Sequence, residues 1–127
     1  MTRASIALLC FALACGGAAE PAGPAEISAA ELLARTRAGD APHILDVRSP
    51  EEFATGHVPG AINVPHDQLG TRLSELGLGR DEEVVLYCER GGRAARVAQA
   101  LEQSGYMMLR HLTGDMAGWR AEGLPIR

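Results

Sequence analysis

Apolar and polar residues follow two different periods along this chain, and each period predicts one type of element. Short apolar runs, most of them with β-branched residues, predict buried strands at 43–47, 61–64, 84–87 and 107–109. Between these runs, apolar residues recur every three or four positions, as they do along one face of a helix. Strands that alternate with helices predict a parallel sheet covered on both faces. We therefore expect an α/β fold with a central sheet of about five short strands.

Capping signals and apolar spacing together place the helices. Ser28 with Glu31, and Ser49 with Glu52, have the spacing of capping boxes that open a helix. Pro50 supports the second start, because proline is favoured at the first helical position. Apolar spacing predicts three further helices, at 69–76, at 94–101 and around 116–119.

The N-terminal segment has the pattern of an export signal. After a short positive start, Ile6–Ala14 is an apolar run that is too short to cross a bilayer and is typical of a secretory signal peptide. Small residues then precede Cys15, in a pattern that resembles a bacterial lipobox, although Ala12 stands where leucine is more usual. We expect 1–14 to be the signal peptide and Cys15 to be lipidated; the alternative is plain signal cleavage after an A-x-A pattern. The protein would then be exported to the periplasm or cell envelope, with membrane contact only through its lipid anchor.

The composition indicates one folded domain behind a tether. Residues 15–25 are mostly glycine, alanine and proline and predict a flexible tether, which leaves 26–127 for the domain. The chain has 127 residues, of which 46% are hydrophobic and 22% charged, as in an ordinary globular protein. With a net charge of −4 and no basic run, nucleic acid is not an expected partner. We expect a monomer.

The six residues after the predicted strand 84–87 carry the candidate chemistry. They begin with Cys88, end with Arg93 and include Gly91 and Gly92; we call 88–93 the Cys88 loop. A thiol between a strand end and a helix N-terminus lies where α/β sheets bind ligands. Backbone N–H groups that converge there favour an anion, and glycines permit the convergence. A thiolate in this loop would be a usable nucleophile at neutral pH.

The residues alone leave a second interpretation of Cys88 open, that of a small buried side chain present for packing. The cysteine count bears on this choice. Cys10 lies in the signal core and Cys15 at the start of the tether, so Cys88 is the only cysteine of the expected domain. A lone thiol in an oxidising compartment is a liability unless it is used or buried, which favours the nucleophile.

Three segments, in order, resemble the rhodanese (thiosulfate sulfurtransferase) family. Residues 45–65 look like the first family signature almost residue for residue, and 87–93 resemble the active-site loop. Residues 112–119 are similar to a motif that commonly reads Gly-Gly, where Asp115 departs from the pattern and slightly alters the lid near the site. The resemblance covers roughly 27–126 and implies a rhodanese-like fold.

The resemblance also implies a two-step sulfur transfer that needs no cofactor. Cys88 would take sulfur from a thiosulfate-like donor and pass it from a persulfide to a thiol or to cyanide. All backbone N–H groups of the Cys88 loop, which continues from Cys88 through Glu89, Arg90, Gly91, Gly92 and Arg93, would point into one cavity and stabilise the anionic species.

The charged residues around the loop receive separate roles. The resemblance implies that Arg93 structures the loop and that Asp46 and Arg48 support it by charge-assisted hydrogen bonds. Arg90 has no fixed family role and could meet an anionic donor at the mouth. Glu89 is expected to face solvent.

Two other functions stay open. A longer loop on the same fold accommodates phosphate or arsenate, so a related hydrolase or reductase is one alternative. A rhodanese-like binding or sensing module without catalysis is the other, although such members typically replace the cysteine that this chain retains. His57 and His66 lack the spacing of metal ligands, and His57 is expected to form loop hydrogen bonds.

Overall fold

Strands and helices alternate along the part of the chain that a computed structural model describes, which is residue 17 and residues 23–127. The strands are β1 (Ala25–Ile27), β2 (His43–Asp46), β3 (Ile62–Asn63), β4 (Val84–Tyr87) and β5 (Leu109–Leu112). The helices are α1 (Ala29–Arg37), α2 (Pro50–Ala54), α3 (Leu69–Leu76), α4 (Gly92–Gln103) and α5 (Asp115–Ala121). The predicted signal peptide 1–14, the predicted lipidation site Cys15 and most of the predicted tether lie outside the described residues.

The five strands form one parallel sheet in the order β1-β5-β4-β2-β3. This confirms the predicted α/β fold with a sheet of about five short strands. Because the strands are parallel, their carboxyl ends meet at one edge of the sheet. The residues that follow β2, β4 and β5 are therefore neighbours in space.

Both faces of the sheet are buried, which explains why its central strand is apolar without interruption. Successive residues of β4 point to opposite faces. Leu86 and Cys88 belong to the core cluster shared with α4, whereas Val85 and Tyr87 belong to the cluster that contains Trp119 of α5. The candidate nucleophile thus continues the buried alternation of β4.

The two predicted capping signals open α1 and α2. The hydroxyl of Ser28 accepts the N–H of Glu31 at 3.1 Å. Ser49 and Glu52 form a complete capping box: the N–H of Glu52 donates to the hydroxyl of Ser49, and the N–H of Ser49 donates to the carboxylate of Glu52. No helix within 17 and 23–127 is long and apolar enough to cross a membrane.

The structure differs from the predicted strands at β5 and at the edge strand β1. The fifth strand begins at Leu109 rather than at Met107, and the side chains of Met107 and Met108 are exposed. An apolar run is a signal of burial, and here it extends beyond the buried segment. The sequence also showed no strand before α1, because β1 has three residues and only Ile27 is buried. It begins at Ala25, inside the segment predicted as a tether, and is held by parallel pairing with β5.

Candidate active site

Cys88 directly follows β4 and its sulfur lies inside the loop that leads into α4. The residue is 1% exposed. The backbone N–H of Gly91 donates to Sγ at 3.0 Å, and α4 begins at the next residue. The sulfur therefore receives a backbone donor at the positive end of a helix, which favours a sulfur-centred anion.

Gly91 satisfies two requirements that no other residue type meets together. Its φ is +110°, a conformation that side chains with a Cβ rarely adopt. A Cβ added there would also lie 3.1 Å from Asp115 Oδ2 and 3.3 Å from His111 Cε1. The turn that brings the N–H of Gly91 onto the sulfur thus depends on glycine.

Asp46 and Arg48 form a buried ion pair at the carboxyl end of β2. Arg48 Nη2 lies 2.7 Å from Asp46 Oδ2 and also donates to the carbonyl of Gly56 at 2.8 Å. The hydroxyl of Tyr87 donates to the same carboxylate at 2.7 Å and accepts the N–H of Val58 at 3.1 Å. Burial raises the pKa of Tyr87 well above its usual range, so the hydroxyl stays protonated and continues to donate.

Glu89, which was expected to face solvent, is partly exposed and also makes two side-chain contacts. Its carboxylate bridges two arginines: Oε2 lies 3.4 Å from Arg48 Nη1, and Oε1 is paired with Arg120 of α5. The residue that follows Cys88 is therefore held by side-chain contacts from the segment after β2 and from α5. The sequence carried no signal for Arg120, which is 31 positions away.

Arg93 makes a bidentate ion pair with Glu52 at the start of α2, with N–O distances of 2.6 and 3.0 Å. The hydrogen bond from Arg93 lowers the pKa of Glu52 to about 2. The last residue of the Cys88 loop is thus tied to the first signature segment. Arg90 is exposed.

The loop departs from the expected ring of N–H groups at its first residue. The N–H of Cys88 donates to Asp115 Oδ1 at 3.0 Å instead of pointing into a shared cavity. The same oxygen lies 2.9 Å from His111 Nε2, and this hydrogen bond raises the pKa of His111. Nothing in the sequence indicated that Asp115 contacts Cys88 or that it pairs with His111.

An apolar groove of about 250 Å³ adjoins the Cys88 loop between α3 and α4. Its lining consists of His66, Leu69, Arg93, Arg96, Val97 and Ala100. His66 thus borders the groove. His57 instead stacks on Phe53 with ring centroids 3.7 Å apart, and its Nδ1 lies 3.1 Å from the carbonyl of Phe53.

Comparison with known proteins identifies the family. The sequence profile of the rhodanese-like domain matches residues 28–122, so the chain belongs to the rhodanese-like domain family. A solved relative, a rhodanese-related protein from Thermoplasma volcanium, superimposes with a TM-score of 0.69 at 30% identity, over 81% of this chain and 97% of that one. The fold is therefore rhodanese-like.

Relatives of this chain differ in length and in stated role. A thiosulfate:glutathione sulfurtransferase from Homo sapiens is 32% identical over 110 residues, which cover 77% of this chain and 95% of the human protein. An HTH-type transcriptional regulator from Mycobacterium tuberculosis is 40% identical over 102 residues, which cover 79% of this chain but only 43% of the regulator. Sulfurtransferases are thus among the distant homologues.

Proposed function

We propose that the protein is a sulfurtransferase that carries a sulfane sulfur on Cys88, from thiosulfate or a persulfide donor to a thiophilic acceptor. The observation that carries this proposal is the buried sulfur of Cys88, which accepts the N–H of Gly91 at 3.0 Å just before α4. Sulfurtransferases among the homologues support the same chemistry.

The proposed reaction has two displacements at sulfur. The Cys88 thiolate attacks the outer sulfur of thiosulfate; a new S–S bond forms, the old one breaks, and sulfite leaves with the electron pair. An acceptor thiolate or cyanide then attacks the terminal sulfur of the Cys88 persulfide and releases the Cys88 thiolate. Thiolate and persulfide are both anionic, so a fixed backbone donor stabilises each without reorganisation.

The Cys88 loop holds six residues, and its length favours sulfur over phosphate. A ring of this size closes around a centre about as large as one sulfur atom, whereas a tetrahedral oxyanion needs donors spaced for its oxygens. Hydrogen bonds weaken steeply with distance and angle, so misplaced donors lose most of their value. A Cys-dependent phosphatase or arsenate reductase is therefore the less favoured function.

Mass spectrometry of the purified protein tests the proposal. After incubation with thiosulfate and removal of the excess, the peptide that contains Cys88 should gain the mass of one sulfur atom and lose it on addition of cyanide. A Cys88→Ser variant should show neither change, because a serine hydroxyl without a base is a poor nucleophile. Absence of the adduct on a folded protein would favour a binding module, and Cys88-dependent cleavage of an aryl phosphate would favour the phosphatase.

We further propose that the protein acts in the bacterial cell envelope as a lipoprotein anchored through Cys15. What supports this is the pattern of an apolar signal core, small residues before the cysteine and a tether rich in glycine and proline.

A further inference from the structure

A buried carboxylate lies beside the Cys88 loop, bonded to the first residue of the segment that positions the sulfur and close to the space around Gly91. Asp115 Oδ1 accepts the N–H of Cys88 at 3.0 Å. Its other oxygen, Oδ2, lies 3.1 Å from the place where a Cβ on Gly91 would be. The side chain of Asp115 is 4% exposed. The carboxylate thus accepts a hydrogen bond from the first residue of the turn and occupies the space that a side chain at Gly91 would need.

The backbone at Asp115 has a conformation that glycine would adopt more easily. Its φ is +53°, and it is the one residue other than glycine with a positive φ among the described residues. Glycine would adopt this conformation without strain, whereas a residue with a Cβ does so at a cost. Local strain of this kind is commonly retained where a side chain does functional work.

The negative charge of Asp115 needs a compensating positive charge, because an uncompensated carboxylate close to Cys88 would disfavour the thiolate. His111 supplies it: Nε2 lies 2.9 Å from Asp115 Oδ1, and the pairing raises the pKa of the imidazole. From β1, Glu26 lies opposite His111 and acts in the same direction. From β4, the register partner of His111 is Leu86, which is uncharged. In the loop, the carboxylate of Glu89 is already paired with two arginines.

We propose that Asp115 and His111 are a positioning pair for the nucleophile of the proposed sulfur transfer, on which this inference rests. The carboxylate of Asp115 fixes the amide of Cys88, and His111 fixes the carboxylate and offsets its charge. The hydrogen bond from Asp115 then fixes the start of the loop, and the N–H of Gly91 stays directed at the sulfur of Cys88. The pair touches no substrate; it acts on the reaction through Cys88.

Alkylation of Cys88 by iodoacetamide tests the pair without relying on sulfur transfer. Asp115→Gly removes the acceptor and leaves a backbone that suits glycine, so the variant should fold and react about tenfold more slowly at neutral pH, the equivalent of one lost hydrogen bond. Asp115→Asn keeps an acceptor oxygen and should stay within about threefold of the wild type. A matched control is His43→Gln, because His43 lies at the opposite end of the sheet, beside Glu82, and should leave the rate unchanged.

The pH profile separates positioning from a merely structural role. Below the pKa of His111 the pair is neutral, and above it the pair carries one negative charge that opposes the thiolate. The wild type should therefore show an inflection in alkylation rate from His111. In Asp115→Asn this inflection should move to lower pH, because the pairing that raises the pKa of His111 is lost, and in His111→Leu it should be absent. If the two residues act together, the double variant His111→Leu/Asp115→Gly should be no slower than the slower single variant.

Two outcomes would overturn the inference: wild-type alkylation by a folded Asp115→Gly, or an unchanged pH profile in Asp115→Asn. If Asp115→Gly does not fold, the profile of Asp115→Asn decides alone. Failure of the proposed function looks different, because the wild type would then form no persulfide with thiosulfate while alkylation still responded to Asp115.

Discussion

At the residue scale, the polar side chains beneath the candidate site are satisfied by partners inside the protein. Among the described residues, no buried side-chain nitrogen or oxygen lacks a hydrogen-bond partner. Asp46 is the centre of one such network, since it receives both Arg48 and the hydroxyl of Tyr87. A complete buried network of this kind stiffens its surroundings, whereas a network that loses one member leaves an unpaired polar group in the core.

Tyr87→Phe tests how much this network contributes. The change removes a donor to Asp46 and an acceptor for the N–H of Val58, both buried, and should lower the free energy of unfolding by about 1–3 kcal/mol. Tyr106→Phe is a matched control, because that hydroxyl makes only a 3.4 Å contact to a carbonyl and is partly exposed. Urea denaturation of both variants gives the comparison. Equal effects of the two substitutions would show that the network at Asp46 adds no stability of its own.

At the element scale, the ion pair of Arg93 and Glu52 joins the first turn of α4 to the first turn of α2. Both helices begin at the edge of the sheet where the candidate site lies. Glu52 also completes the capping box of α2. One carboxylate therefore caps α2 and, through Arg93, fixes the first turn of α4. Arg93 thus fixes where the Cys88 loop ends.

Acid titration tests this link between the helices. The folded pKa of Glu52 is lowered to about 2 from 4.5, so the stabilisation is fully present above the unfolded value and is lost as the pH falls toward 2. The carboxylate is 35% exposed, so solvent screening limits the contribution to about 1 kcal/mol or less. Glu52→Gln should therefore destabilise the protein at pH 7 and approach the wild type near pH 2.

Glu51→Gln is the matched control for this titration, because Glu51 is exposed on the same helix and the substitution changes the net charge equally. A difference between wild type and Glu52→Gln that persists unchanged down to pH 2 would show that the ion pair is not its source.

At the scale of the whole molecule, the described residues bury one apolar cluster on each face of the sheet. The features that predict export lie outside these residues. Anchoring through Cys15 is therefore tested on cells and not on the folded domain. Two or more acyl chains give stable membrane binding, whereas one alone binds only marginally. The native protein should sediment with membranes, and a Cys15→Ala variant should remain in the soluble exported fraction. Equal solubility of the two would favour plain signal cleavage.

The sequence by itself predicted the candidate nucleophile, every helix and every strand except β1. The helix caps at Ser28 and Ser49 and the continuous apolar run of β4 are signals between near neighbours, and they hold in the structure, although only Ser49 forms the complete capping box. The placement of Cys88 between a strand and a helix follows from the same local pattern.

Only the tertiary structure decided what surrounds Cys88. Asp115 accepts a hydrogen bond from the amide of Cys88, which lies 27 positions away in the sequence, and Glu52 lies 41 positions from Arg93. The strand β1 exists because β5 pairs with it, not because its three residues favour a strand. Contacts of this range depend on how the sheet brings the ends of β2, β4 and β5 to one edge, and local periodicity holds no information about that meeting.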